Sequence, residues 1–218
     1  MYCKNKIIKL ILISITLLSL ISCNESKVYL PNRLWFFETK INDSLVQDFT
    51  LSTYKDNFNL NQKKIVYFYK EKWGNGNIRS LTKEKTGVID GGIFLISNEI
   101  WLHPPRTGIL RNTELLPFPW VKYPIIVGDI YDWDLTPKIG WGDLKGLKIK
   151  GKIKIAGKEY YNYKNIQDSC YVLNCSARSK KGLFTSKYLF SEKYGFLSLK
   201  YNLKDTVIDI KCYDTNFN

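Results

Sequence analysis

The clearest signal for the fold is the strict alternation of apolar residues and lysines between positions 147 and 155. Successive side chains of an extended chain point to opposite faces, so one face of this segment is apolar and the other is charged. The apolar face carries Leu147, Ile149, Ile153 and Ile155, and the charged face carries Lys148, Lys150, Lys152 and Lys154. This pattern predicts a strand of an antiparallel sheet with one face in water. Gly151 falls on the apolar face, where a strand glycine indicates a bulge or a close backbone approach.

The same alternation continues through the C-terminal third of the chain. Further strands are predicted at residues 169–179, 183–191, 195–202 and 207–212. Lys180-Lys181-Gly182 is typical of a tight hairpin connection between the first two of these strands. The short spacing between the strands predicts an up-and-down antiparallel meander.

The first half of the chain is less regular. The strands predicted there span residues 34–39, 64–69, 93–97 and 99–102, which are rich in aromatic and β-branched residues. The last two are expected to pair around Asn98, and residues 74–77 are expected to form a turn because two glycines alternate there with asparagine. Residues 42–51 are predicted to form a short helix, with Asn42 or Asp43 as its cap.

Residues 104–142 interrupt this pattern with a loop-like segment that contains six prolines and three tryptophans. We expect this segment to cover one face of the sheet. The chain has no internal repeat and no sharp change of composition, which favours a single domain. The predicted fold is therefore mainly β: a curved antiparallel meander or partial barrel, with a proline- and tryptophan-rich covering segment and few short helices.

The N-terminus has the features of a secretory signal peptide. Lys4, Lys6 and Lys9 make it positive, and the first acidic residue is Glu25. Residues 10–21 form a mainly apolar run. Twelve residues of helix rise about 18 Å, which is short of the roughly 30 Å hydrocarbon core of a bilayer. The run therefore predicts a signal peptide rather than a permanent transmembrane helix.

The apolar run ends in Leu20-Ile21-Ser22-Cys23, which resembles the lipobox of bacterial lipoproteins. The resemblance implies cleavage before Cys23 and attachment of two or three acyl chains to it, which together hold a protein on a membrane. It divides the chain into a signal peptide (1–22), a lipidated tether (23–30) and a β-rich domain (31–218). The alternative is an uncleaved apolar helix that ends in an unrelated cysteine.

The expected location is the bacterial cell envelope. Asn24 follows the cysteine where an aspartate would retain many lipoproteins in the inner membrane, so the sequence favours the outer membrane, facing the periplasm. Without residues 1–22 the chain keeps 30 basic and 20 acidic side chains. That positive charge favours anionic neighbours, and in an envelope these are lipid or polysaccharide rather than nucleic acid. A lysine-rich solvated surface is the other reading of this charge.

Three cysteines follow Cys23 in the sequence: Cys170, Cys175 and Cys212. An envelope protein meets oxidising conditions, so a disulfide is possible, but the odd number leaves at least one thiol unpaired. Cys170 and Cys175 are five positions apart, which places them on opposite faces of a strand and makes them poor partners for each other. The three cysteines and the single histidine have no zinc-site spacing, and the sequence contains no cofactor-binding motif.

Two motifs stand out in the second half of the chain. The first is Trp101-Leu102-His103-Pro104-Pro105-Arg106, followed by a proline-rich stretch and a tryptophan-containing strand. The second is a C-terminal strand pair that carries Tyr188, Phe190, Glu192, Lys193, Gly195, Phe196, Leu199 and Tyr201. Both motifs resemble those of uncharacterised secreted and lipid-anchored proteins of Bacteroidota. The resemblance covers roughly residues 90–212 and implies an envelope protein, but no particular activity.

The candidate binding residues are Trp101, His103, Arg106, Trp120 and Trp133. They lie in a stretch rich in aromatic residues, which is typical either of a concave apolar or sugar-stacking surface or of the core of a covered sheet. His103 is the only histidine in the chain, and histidine is the side chain best suited to acid–base chemistry near neutral pH. It could share a pocket with Arg106 and one of Asp129, Asp132 and Asp134, or it could simply stabilise a turn beside two prolines.

These observations favour a lipid-anchored binding module over an enzyme. We expect the module to bind an apolar or amphipathic ligand, or another component of the envelope, with no cofactor and no metal. One alternative is a hydrolase that uses His103 with a nearby carboxylate. Another is a structural partner in an outer-membrane complex, which would present a flat and exposed aromatic patch.

Overall fold

A computed structural model of the chain describes residues 28–59, 62–70, 88–96, 98–106, 108–137 and 142–217. In these residues twelve strands form one antiparallel sheet that curls into a half-barrel. The strands are β1 (Leu34–Ile41), β2 (Ser44–Asn59), β3 (Gln62–Lys70), β4 (Val88–Ile96), β5 (Glu99–Leu102), β6 (Trp120–Lys122), β7 (Ile130–Leu135), β8 (Ile149–Tyr163), β9 (Ile166–Ser179), β10 (Gly182–Ser191), β11 (Gly195–Leu203) and β12 (Thr206–Thr215). The mainly-β expectation is confirmed. Cys23, the predicted turn at 74–77 and the signal peptide lie outside the described residues.

The C-terminal meander follows the predicted strands closely. Strands β8 to β12 pair in sequence order, and β9 turns into β10 through Lys180 and Lys181. On β8, Ile149, Ile153 and Ile155 are buried in the core, and the four lysines of the alternating segment are exposed. Period-two patterning sets these positions because one face of each strand is covered and the other is in water.

The predicted helix at 42–51 is wrong. Asn42 and Asp43 both have positive φ values, 47° and 66°, and they form the two-residue turn of a hairpin between β1 and β2. Two successive residues with positive φ match the twist of the flanking strands and continue the chain as a strand. From there Phe49 and Leu51 alternate into the core as part of β2.

The proline-rich segment covers the sheet, as expected, but it is more ordered than a loop. It contains two 3-10 helices, Gly108–Leu115 and Gly142–Leu144, as well as β6 and β7. Its Leu110, Leu115 and Leu116 are buried in the core. Two sheet tyrosines also bind it, because the Tyr67 hydroxyl donates to the carbonyl of His103 and the Tyr188 hydroxyl donates to the carbonyl of Pro117.

The described chain begins in the core. Val28 and Tyr29, within the segment predicted as the tether, are both buried. The Tyr29 hydroxyl accepts a hydrogen bond of 2.9 Å from the backbone N–H of Phe196. Nearby, the Trp35 indole donates a hydrogen bond of 2.7 Å to the carbonyl of Tyr194. These contacts hold the start of the described chain against the turn between β10 and β11.

The sequence left the pairing of three cysteines open, and the structure shows all three as free thiols. Cys170, Cys175 and Cys212 are buried, and none of them forms a disulfide. Burial raises the pKa of the Cys170 and Cys175 thiols to about 12 and also raises the pKa of the Cys212 thiol. Because a thiolate is the reactive form, these three thiols are expected to be inert.

The two edges of the curled sheet meet through side chains. Strands β6 and β7 are consecutive in sequence, yet they occupy opposite ends of the strand order and do not pair with each other. The Trp120 ring of β6 lies 5.7 Å from the Tyr131 ring of β7. The Lys122 ammonium lies over both rings, at 4.3 and 5.1 Å. Aromatic and cation–π contacts therefore join the edges where backbone hydrogen bonds do not.

Candidate functional site

Three of the five candidate binding residues line one cleft. The cleft has a volume of about 320 Å³ and lies at the junction of the two sheet edges. It is lined by Glu99, Trp101, Phe118, Trp120, Asp132, Trp133, Asp134 and Leu135. Trp101, Trp120 and Trp133 thus converge from three different strands, which the sequence alone did not show.

Strand register explains why these tryptophans converge. Ile100 of β5 pairs with Val121 of β6, and both are buried in the core. Their neighbours Trp101 and Trp120 also pair with each other and therefore point to the opposite, outer face of the β5–β6 hairpin. Trp133 of β7 pairs with Gly151, which lies on the core-side face of β8. The cleft therefore lies where the outer face of β5–β6 meets the core-side face of β7.

Contacts between rings hold the cleft open in a defined shape. The Phe118 ring lies between two tryptophans, 5.4 Å from Trp101 and 5.6 Å from Trp133. The Trp120 indole N–H donates a hydrogen bond of 3.1 Å to the Glu99 carboxylate. Because each ring is fixed by a neighbour, little rotamer entropy remains to be lost when a ligand stacks on them.

The charge of the cleft differs from that of the whole chain. Its lining includes three carboxylates, from Glu99, Asp132 and Asp134, and neither lysine nor arginine. The full sequence has a net charge of +13. The cleft therefore offers aromatic faces and hydrogen-bond acceptors, which suit apolar, hydroxylated or cationic groups better than anionic ones.

A shallower groove lies on the other side of β7. It shares Asp132, Trp133 and Asp134 with the cleft and encloses about 640 Å³. Its basic residues are Lys150, Lys152 and Arg178, and the Lys152 ammonium lies 3.8 Å from the Asp132 carboxylate. The opposite charges on this groove partly compensate one another, so it has no strong preference for the charge of a ligand.

The structure places His103 behind the wall of the cleft. Its ring lies 4.9 Å from the Phe118 ring, and its Nδ1 donates a hydrogen bond of 3.1 Å to the carbonyl of Pro104. Burial and the nearby Arg106 guanidinium lower the pKa of His103 to about 4. At neutral pH the imidazole is therefore uncharged, with the proton on Nδ1 and with Nε2 3.5 Å from Arg106 Nη1.

Glu114 is the buried acid that the sequence analysis missed. Its side chain is 3% exposed, and its Oε1 lies 3.9 Å from His103 Nε2 and 3.8 Å from Arg106 Nη1. Burial raises the pKa of Glu114 to about 7, and Arg106 opposes this shift. The residue stands in the 3-10 helix just before Leu115 and Leu116, and this apolar context was its only signal in the sequence.

The acidic neighbour that the structure gives His103 is therefore Glu114. Asp132 and Asp134 line the cleft instead, on the exposed side of β7. Neither His103 nor Arg106 is among the residues that line the cleft. His103 packs against Phe118, and Arg106 contacts His103 and Glu114.

The described residues contain no group of three or more histidine, cysteine, aspartate or glutamate side chains arranged to hold a metal ion. Within the same ranges, no helix is long and apolar enough to cross a bilayer.

Comparisons with known proteins find relatives by structure and not by sequence. No known protein family matches the sequence, and no curated protein matches it either. A protein classed as a lipoprotein from Parabacteroides distasonis matches with a TM-score of 0.50 and 11% identity, over 87% of this chain and 97% of that one. An exported protein with a YmcC-like fold from Bacteroides fragilis matches with a TM-score of 0.51 and 9% identity, over 87% and 99%.

A weaker similarity connects the chain to the hypothetical lipoprotein YmcC from Escherichia coli, with a TM-score of 0.39 and 13% identity over 84% of this chain and 87% of that one. At such low identities, the two stronger matches show that the chain shares their fold. Those neighbours are described as a lipoprotein and an exported protein of bacteria, which is consistent with the envelope protein that the motifs implied. The resemblance of the two sequence motifs to those of Bacteroidota proteins stays a prediction.

Proposed function

We propose that this chain is a lipid-anchored protein of the bacterial cell envelope that binds an apolar or amphipathic ligand in the cleft between β5–β6 and β7. The anchor is Cys23, and the proposed location is the outer membrane, facing the periplasm. The convergence of Trp101, Trp120 and Trp133 on one cavity carries the proposal. The fold shared with exported bacterial proteins supports it.

The dimensions and lining of the cleft suit a small ligand or one end of a larger one. Its volume of about 320 Å³ falls at the lower end of the roughly 300–1,000 Å³ of small-molecule sites. Indole faces provide apolar area at little entropic cost because tryptophan has few rotatable bonds. The Glu99 carboxylate and its neighbours can accept hydrogen bonds from the polar end of an amphipathic ligand.

A binding module fits the surroundings of His103 better than a hydrolase does. The hydrolase alternative needs His103 within reach of the proton that it would take from a substrate, and a carboxylate within hydrogen-bond reach to orient the imidazole. The Glu114 carboxylate lies 3.9 Å from the imidazole, beyond a hydrogen bond, and the low pKa of His103 makes it a weak base. Its Nδ1 proton is already bound to the Pro104 carbonyl. These features are those of a structural histidine.

We expect the Trp133→Ala variant to bind a neutral apolar probe at least about tenfold more weakly than the unaltered protein, because burial of a large apolar side chain contributes roughly 1.5–3 kcal/mol. The probe is N-phenyl-1-naphthylamine, whose fluorescence increases in apolar surroundings. The measurement is a fluorescence titration, followed by displacement with lysophosphatidylethanolamine as an amphipathic competitor.

Tyr160→Ala is the matched control, since Tyr160 is 66% exposed and lies on β8 away from the cleft. This variant should bind the probe like the unaltered protein. Equal affinities for Trp133→Ala and Tyr160→Ala would show that the probe binds elsewhere and would contradict the proposed site. A competitor that fails to displace the probe would argue against amphipathic ligands.

The anchor is tested separately with Cys23→Ala. We expect this variant to lose its acyl chains and to appear in the soluble fraction, because no other acylation site is proposed for the chain. Mass spectrometry of the mature protein and detergent phase partitioning are the measurements. An unchanged mass and unchanged partitioning would refute lipidation at Cys23 and would leave the cleft proposal intact.

A further inference from the structure

The connection between β6 and β7 exposes three aliphatic side chains close together. Ile126 is 53% exposed, Val127 is 52% exposed and Ile130 is 59% exposed. We call residues 124–130 the apolar loop. Large aliphatic groups clustered in water are unfavourable for a free surface and are typical of a surface that meets a partner or a membrane.

The apolar loop is held in a fixed conformation. The Gly128 N–H donates a hydrogen bond of 2.8 Å to the carbonyl of Ile155, and the Ile155 N–H donates one of 2.9 Å to the carbonyl of Asp129. Gly128 has a φ of 104°, which side chains rarely tolerate, and Ile125 packs against the core. The three exposed residues therefore project from a preformed turn, and ordering them on a partner costs little entropy.

A chain of buried aromatic residues places the loop at the same end of the sheet as the start of the described chain. The Tyr123 ring, just before the loop, lies 6.5 Å from the Phe190 ring. Phe190 in turn lies 4.9 Å from Phe196, and the backbone of Phe196 binds the Tyr29 hydroxyl. The apolar loop and Tyr29 are therefore neighbours across the same end of the sheet.

The length of the tether keeps this end close to the lipid. Cys23 precedes the buried Val28 by five residues, which span at most about 18 Å even when fully extended. Lys154 is exposed and pairs with Ile130 in the sheet register, and Lys122 also flanks the loop. The acid of the loop itself, Asp129, is half-buried. Aliphatic groups bordered by lysines match the boundary between lipid head groups and acyl chains.

We propose that the apolar loop inserts into the same membrane that holds the lipid anchor, so that the protein has a second and protein-based membrane contact. This inference rests on the proposed lipidation of Cys23. The insertion brings Ile126, Val127 and Ile130 into the interfacial region and keeps the end of the sheet that carries Tyr29 against the bilayer. The protein is thereby held in one orientation relative to the bilayer.

The test uses the lipidated full-length mature protein in vesicles of phosphatidylethanolamine and phosphatidylglycerol. The three mature cysteines Cys170, Cys175 and Cys212 are buried and free, so a cysteine introduced at the surface can be labelled selectively. Val127→Cys receives an environment-sensitive fluorophore, and a fraction of the lipids carries a nitroxide quencher near the head group. The matched control is Leu183→Cys, because Leu183 is 58% exposed and lies at the β9–β10 turn, at the other end of β10.

We expect quenching at position 127 to be roughly threefold or more stronger than at position 183, because interfacial groups reach about 5–10 Å into the boundary. Equal quenching at both positions, or none at 127, would overturn the proposal. A blue shift of the fluorophore at position 127 that appears without vesicles and increases with protein concentration would show that the loop pairs with a second copy of the chain. That result would also overturn the proposal.

A failure of the proposed lipidation can be recognised independently, because the mass of the same sample shows whether acyl chains are attached. If the protein proves not to be acylated, the labelled variants are prepared again with Cys23→Ser, so that only the introduced thiol reacts, and are mixed with vesicles rich in phosphatidylglycerol. Quenching at 127 and not at 183 would then support the loop as a membrane contact without the anchor. No quenching at 127 in that sample would refute it.

Discussion

Replacement of Gly151 by valine is expected to lower the free energy of unfolding by about 3 kcal/mol, at the upper end of the effects seen when a packed core is overfilled. For a chain of this size, such a loss corresponds to a fall in melting temperature of about 6–12 °C. Few single substitutions outside the largest core residues should have a comparable effect on this protein.

The reason is the closeness of two elements to the Gly151 backbone. A Cβ atom at this position would lie 2.7 Å from the carbonyl oxygen of Ser176 and 2.8 Å from Cγ of Pro117. The first contact is with backbone of the neighbouring strand and cannot move without disturbing the sheet. The contact with Pro117 can be relieved only by displacing the covering segment, because the Pro117 carbonyl accepts the Tyr188 hydrogen bond, and the contact with the Ser176 carbonyl would remain.

Thermal and urea unfolding followed by circular dichroism provide the measurement. The control is Lys150→Val, one position earlier on β8 and on its exposed face, where valine suits a strand and should change stability by less than about 0.5 kcal/mol. Gly151→Ala should lie between the control and Gly151→Val. A Gly151→Val variant as stable as the control would show that the covering segment is not packed tightly on this strand.

Gly151 also illustrates what the sequence could reveal about the fold. Its place on the apolar face of an alternating strand predicted either a bulge or a close approach, and the structure shows the close approach. The strands of the C-terminal meander were predictable for the same reason, because a face buried along its whole length leaves a period-two pattern. Whether the glycine marks a bulge or a close approach depends on Pro117, which is 34 positions away in the sequence.

The first half was harder to predict because its turns carry ambiguous residues. Asn42 and Asp43 are good helix caps and also tolerate positive φ, and no glycine marks the hairpin that they form. The 3-10 helix at 108–115 is only eight residues long and buries the polar Thr113 and Glu114 together with Leu110 and Leu115, so its apolar residues do not mark the buried face. Both elements depend on tertiary contacts, which local patterning does not encode.

Three of the residues that line the cleft were named as candidates from the sequence, but His103 and Arg106 do not line it, and the arrangement was not predictable. Trp101, Trp120 and Trp133 were singled out as aromatic residues in an unusual segment. Their meeting depends on the curl of the sheet, which brings the outer face of β5–β6 against the core-side face of β7. Neither the curl nor this overlap of the edges leaves a mark in the local sequence.

Glu114 is the clearest case of a residue whose role only the packing reveals. In the sequence it is one of several glutamates beside apolar residues. In the structure its Oε1 is buried without a hydrogen-bond partner, behind the wall of the cleft. A buried carboxylate of this kind makes the stability of the site depend on pH.

Replacement of Glu114 by glutamine is therefore expected to increase the free energy of unfolding at pH 8 by up to about 3 kcal/mol and to change it little at pH 4. The pKa of Glu114 rises from an ordinary value of 4.5 to about 7 in the folded protein. Each unit of difference between the folded and unfolded states corresponds to about 1.36 kcal/mol. Glutamine has nearly the same shape and does not have to ionise.

The direction follows from which state binds the proton more tightly. Because the folded pKa is the higher one, the folded protein keeps the proton of Glu114 where the unfolded chain has released it. Its contribution is fully present below pH 4.5 and is lost as the pH rises towards 7. His103 has the opposite shift, to about 4, so it lowers stability as the pH falls below 6.5. Both proteins contain His103, so its effect largely cancels in the comparison.

The measurement is the difference in unfolding free energy between the variant and the unaltered protein, taken from urea titrations at pH 4, 6 and 8. The control is Glu192→Gln, since Glu192 is exposed in the turn between β10 and β11 and its replacement should change stability by less than about 0.5 kcal/mol. A variant that is less stable than the unaltered protein at pH 8 would mean that the attraction between Glu114 and Arg106 outweighs the cost of burial. In that case the carboxylate would be a stabilising ion-pair partner. Its contribution to the free energy of unfolding would then be largest at high pH rather than at low pH.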